Sequence, residues 1–168
     1  LRFDFSHNEG MSEGEKLAVE QMVNEMILEN SAAKASVLPM DDALAAGAIA
    51  FFEEKYGDDV RMMKIGEKST ELCGGLHVHA TGDIGLFKII SEGAISSGVR
   101  RLEAVTGLNA LAWVQANAAS LRSAAATLRV GTEQVLPRLE KLMDERKELA
   151  NELQKGVEKK RETIRRTL

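Results

Sequence analysis

The sequence predicts an α+β fold: a mainly antiparallel sheet with flanking helices over residues 1–107, then a long α-helical, coiled-coil-like arm over 108–168. Three observations predict it. Four short runs carry strand-like patterns between Gly and Ser turn signals. Two helix-start signals fall in the first quarter of the chain, so the helices are segregated from most of the strands. From about Leu108 the chain becomes Ala-rich and then highly charged, with apolar residues recurring every seven positions.

The elements follow in order. Leu1, Phe3 and Phe5 alternate with Arg2 and Asp4, the period of a half-buried strand. Ser12 with Glu15 forms a capping box that starts a helix over roughly 13–30, with Leu17, Val19, Val23, Met26 and Ile27 near one face. Pro39, Asp41 and Asp42 open a second helix expected to run to about Tyr56, with Gly57 as the residue after its end. Its Ala43, Ala46 and Ala50 suit close packing. "VRMMKIG" (60–66) reads as a strand, and residues 71–85 as a Gly-interrupted stretch with turns. "LFKIISEGAI" and "GVRRLEAVTG" read as two strands joined at Ser96-Ser97-Gly98.

In the arm, Leu136, Met143, Ala150, Val157 and Ile164 make one heptad seam. Leu139 and Leu153 add a second, which Arg146 and Lys160 interrupt, and Gly156 is a weak point. The arm either packs on another helix, within or between chains, or lies as a single amphipathic helix on a further domain.

The 168 residues carry a net charge of −4, with 44% apolar, 29% charged and 4% aromatic residues. That balance excludes binding dominated by counterion release and by base stacking on aromatic platforms. One cysteine excludes an internal disulfide and reads as an intracellular, reduced thiol. No apolar run approaches a membrane span, and the start has neither the charged nor the apolar region of a signal peptide. The absence of Met at position 1 and the immediate strand pattern suggest a chain cut from something longer.

Candidate chemistry concentrates in "ELCGGLHVHATGDIG", which holds the sole cysteine and two of three histidines. Thiolate and imidazole are zinc ligands, and Cys73 and His77 can converge if the chain turns sharply between them. Gly74 and Gly75 make that turn cheap if it needs positive φ. His79 shares a face with His77 on extended chain, and His7 or a carboxylate could complete four ligands. The bland alternative is a buried cysteine beside two ordinary histidines. A nucleophilic Cys73 is a third reading, weakened by the absence of an evident orienting group. Arg100 and Arg101 are the best anion-binding candidates, but on a strand they point to opposite faces and Glu92 and Glu103 are available as ion-pair partners.

Taken together, "LRFDFSH", "EKYGDDVRMMKIG", "STELCGGLHVHATGDIGLFKIISEGAISSGVRRLEAVTG" and the Ala-rich helix after them resemble the bacterial alanyl-tRNA synthetases. The likeness is to the second half of the editing domain and the helical segment leading toward the C-terminal domain. It implies hydrolysis of tRNA(Ala) mischarged with serine or glycine, at a site holding zinc. The resemblance implies that Cys73 and His77 are two zinc ligands and that an H-x3-H pair, with no counterpart here, supplies the others. His79 falls where the family uses no ligand, and Leu76 stands where it usually has Thr. The resemblance assigns no catalytic side chain to this chain, and ATP and magnesium belong to an aminoacylation domain with no counterpart in it. The implied partner is tRNA(Ala), the implied compartment the cytoplasm, with self-association through the arm as a further expectation. Two rival readings remain: a free-standing deacylase acting in trans, and a non-enzymatic helical self-association module.

Overall fold

The computed structural model describes residues 1–50 and 57–167, the side chains at 160, 162–164 and 167 excepted. Residues Leu1–Trp113 form one compact unit and Val114–Leu168 a second.

The first unit is built on two three-stranded antiparallel sheets. In the first, β1 (Arg2–Ser6) pairs with β6 (Val99–Thr106), which also pairs with β5 (Phe87–Ser96). The β5–β6 hairpin turns where the sequence places it, with Gly98 at φ +72°. Helix α1 (Glu13–Leu28) starts at the expected capping box, Ser12 accepting from Glu15 N–H and Glu15 accepting from Ser12 N–H. It packs Ile27, Val19 and Val23 on Phe87, Ile89, Leu102 and Ala104. Polar groups of α1 also cover the free edge of β5. The Asn24 amide accepts from Phe87 N–H and donates to Phe87 C=O, both at 2.9 Å, and Glu20 accepts from Ile89 N–H at 3.1 Å. Ladder groups satisfied in this way are not available to recruit another chain.

The second sheet runs β2 (Ala33–Pro39), β3 (Asp59–Ile65), β4 (Ser69–Leu72). The sequence pattern had not marked β2, whose alternation ends in Leu38-Pro39 and whose residues are mostly exposed. Its pairing with β3 supplies what its own residues do not specify.

Helix α2 (Met40–Ala45) is far shorter than expected. Gly47 at φ +84° ends it: Gly47 N–H bonds Leu44 C=O and Ala48 N–H bonds Ala43 C=O, a left-handed glycine cap. Residues 48–50 are therefore not helical, and Ile49 instead makes a parallel bridge to Glu71. The remainder of the expected helix, 51–56, lies outside the described residues. Ala43 is fully buried and packs with Ala48, Val60 and Leu72, with Ala50 against them, while Ala46 is exposed.

Helix α3 (Gly107–Leu128) follows β6 directly, and Arg129 at φ +57° closes it. Helix α4 (Val135–Thr167) is continuous through Gly156. Its seam residues Leu136, Met143, Leu153 and Val157 are exposed, as is Leu149. The side chains of Lys160 and Ile164 lie outside the described set. No helix among the described residues is long and apolar enough to cross a membrane.

Candidate metal centre

The site grows out of the alternation of β3 and β4. Val60, Met62 and Leu72 share the face turned to the Ala43 core. Side chains alternate along a strand, so Arg61, Met63 and Glu71 take the opposite face, and Cys73 follows Glu71 two positions on. The ladder extends one step past the strand, with Cys73 N–H donating to Arg61 C=O at 3.1 Å.

There the chain turns. Arg61 Nη1 donates to the carbonyls of Cys73 at 2.8 Å and Gly75 at 2.7 Å. Gly75 N–H points at Cys73 Sγ at 3.4 Å. The two glycines do not serve as expected: neither Gly74 nor Gly75 has positive φ. A Cβ at Gly75 would sit 3.4 Å from the Cys73 sulfur, in contact with it, whereas one at Gly74 would meet open space.

The turn brings Cys73 and His77 together and adds Glu71, with one donor atom from each lying within 4.8 Å of the others. His77 Nε2 is buried and has no hydrogen-bond partner among the described residues. A buried imidazole nitrogen left unpaired is costly unless something else satisfies it. A thiolate, an imidazole and a carboxylate are a zinc-type donor set, and a tetrahedral shell at ordinary bond lengths places its ligands roughly 3.3–3.8 Å apart. The three residues fit such an ion if the turn contracts by about 1 Å. The sequence pattern does not single out Glu71, which stands at the start of the Gly-interrupted stretch 71–85. Its signal was the two-residue spacing to Cys73, which on an extended chain means one face.

The other histidines stay outside this group. His7 directly follows β1 of the first sheet, its N–H donating to Gly98 C=O. His79 is exposed and is fixed through its backbone: its N–H donates to Asp83 and its C=O accepts from Ala33 N–H. Behind it, Thr81 is buried, accepting from Ser31 N–H at 2.9 Å and donating to Met26 C=O at 2.8 Å. The turn is thus anchored on both sides, by Arg61 before it and by His79–Thr81 after it. Leu76, between them, is fully exposed.

The arginine pair divides as its alternation requires. Arg100 forms a fork with Glu92, whose side chain is 3% exposed. Arg101 forms one with Asp4 at 2.7 and 2.8 Å. Glu103 bonds Arg2 and Ser91 instead. The Arg100 fork holds Glu92 below the usual carboxylate range, and the Arg101 fork does the same to Asp4. Both guanidinium groups are committed to carboxylates, which leaves the ion-pair reading.

The family model described as "Threonyl and Alanyl tRNA synthetase second additional domain" matches residues 60–103, from β3 into β6, and so encloses the whole turn. An alanine–tRNA ligase of Cupriavidus necator is 49% identical over 154 residues, 92% of this chain and 18% of its own length. One of Burkholderia mallei is 49% identical over 152 residues, 90% of this chain and 17% of its own. The chain carries a segment of the alanyl-tRNA synthetase family. It spans less than a fifth of the length of these curated relatives. Within this synthetase segment, the Glu71–Cys73–His77 turn is the place where donor atoms converge among the described residues.

Proposed function

We propose that this segment contributes half of an editing site for tRNA(Ala) mischarged with serine or glycine, within an ATP-dependent alanine–tRNA ligase. The observation that carries the reading is the convergence of Cys73 and His77 in a chain with this similarity. Cys73 and His77 would hold zinc, with Glu71 as a third donor. When bound, the ion supplies Lewis acidity or substrate orientation at an ester carbonyl.

This chain's own residues do the rest of what can be assigned. Arg61 and Thr81 orient the turn, and Leu76 within it is exposed to solvent. Proofreading of this kind has a physical rationale. A pocket for alanine cannot exclude glycine by size, and rejecting one added hydroxyl gives only modest discrimination. The compartment in this reading is the cytoplasm, where a lone thiol stays reduced. Zinc on two or three ligands binds more weakly than on four, because affinity depends on completing the shell.

The test is deacylation of seryl-tRNA(Ala) by a full-length ligase carrying this segment. Cys73→Ala is expected to abolish deacylation while leaving aminoacylation unchanged; full retention of deacylation would overturn the reading. The chain by itself is expected to leave the ester intact, and measurable hydrolysis by it would show that the missing ligand pair is dispensable.

A further inference from the structure

We propose that Arg61 is the positioning residue of the metal-binding turn, holding Cys73 and His77 close together before any ion arrives. The proposal rests on the reading of that turn as a metal centre. It starts from a topological fact. The Cys73–His77 segment follows the last residue of β4, an edge strand of only four residues, so the ladder alone cannot fix it. Beyond Leu72 a single ladder bond remains, Cys73 N–H to Arg61 C=O.

The Arg61 side chain replaces the missing ladder. One nitrogen, Nη1, donates to two carbonyls two residues apart, at 2.8 and 2.7 Å. Bridging C=O of Cys73 and C=O of Gly75 fixes the turn's curvature. It also aims Gly75 N–H back at Cys73 Sγ. The three contacts form one closed unit: strand, guanidinium, turn, sulfur. A charged donor to neutral carbonyls makes hydrogen bonds stronger than neutral pairs. Among its described contacts Arg61 pairs with no carboxylate, so its hydrogen-bonding capacity goes to this turn. By contrast, Lys64 on the same strand pairs with Glu67 at the surface. Groups that orient metal ligands without touching the ion typically govern metal affinity by ten- to hundredfold.

Arg61→Met keeps the aliphatic stem and removes the donors. Arg61→Lys keeps a cation and can reach at least one carbonyl, and Lys64→Gln is the control. Two measurements are made on the full chain. The first is cobalt(II) titration followed by the thiolate-to-metal charge-transfer band. The second is hydrogen exchange of the metal-free protein over residues 73–79.

Arg61→Met is expected to weaken cobalt binding by about ten- to hundredfold and to speed exchange in 73–79 alone. Arg61→Lys is expected to recover much of both, and Lys64→Gln to change neither. Wild-type affinity and wild-type exchange in Arg61→Met would overturn the proposal. So would protection lost throughout the second sheet, which would make Arg61 a residue of the fold at large. If wild-type protein gives no charge-transfer band, the metal reading falls, and the exchange data still decide whether Arg61 holds the turn.

Discussion

Thr81→Val probes the far anchor of the ligand turn without opening a cavity, because valine nearly matches threonine in shape. Thr81 is 6% exposed and its hydroxyl makes two short bonds, from Ser31 N–H at 2.9 Å and to Met26 C=O at 2.8 Å, with a longer contact to Ile27 C=O at 3.4 Å. These tie the end of α1 to the segment after His79. A net hydrogen bond contributes about 1 kcal/mol, and a partner left unpaired costs about 1–3 kcal/mol. Losing both bonds, with some water access at Ser31, is expected to cost about 2 kcal/mol. Thr81→Ser keeps both bonds and loses one buried methyl, roughly 0.8 kcal/mol.

Urea unfolding read by far-ultraviolet circular dichroism and by fluorescence of Trp113, the sole tryptophan, measures both. Coincidence of the two probes checks that one transition is being followed. Wild type, Ser and Val are expected in descending order of stability. A Val variant within about 0.5 kcal/mol of wild type, or more stable than Ser, would refute the assignment of those bonds as an anchor.

Glu92 gives a pH prediction. Its fork with Arg100 holds its folded-state pKa below the unfolded value, so its contribution is present above that value and lost as pH falls through the folded one. The Tm of wild type is therefore expected to fall more steeply below about pH 4.3 than that of Glu92→Gln, the two curves converging in acid. Parallel curves would contradict it. Some acid slope remains in the variant, because Asp4 and Glu103 are also held low, by Arg101 and by Ser91 respectively. At the turn, Leu76→Thr should leave urea stability within about 0.5 kcal/mol of wild type, since the side chain is fully exposed. A larger change would mean that Leu76 packs on something.

The strands of the first sheet, the capping box at Ser12 and the β5–β6 turn follow from periodicity and turn chemistry that lie within a few residues of each other. The C-x3-H spacing was legible for the same reason. The helix expected beyond Ala45 failed because the Ala-rich pattern outweighed Gly47, which was present in the sequence as a stop signal. β2 was not legible because its strand character depends on Val60–Ile65 beside it. For the site, Cys73 and His77 could be read from their chemistry, while Glu71 looked like one acid among many.

By itself the sequence determined the strands of the first sheet, the start of α1 and the pairing of Cys73 with His77 as candidate ligands, since these depend on near-neighbour spacing. Tertiary structure alone decided what holds them. Arg61 lies 12 and 14 residues from the carbonyls it grips, and Thr81 lies 50 and 55 from its partners. It also decided that neither glycine of the turn adopts positive φ, and that a side chain at Gly75 would meet the Cys73 sulfur while one at Gly74 would meet open space. Such contacts depend on strand register, and register is fixed only when the two faces of a sheet find their separate surroundings.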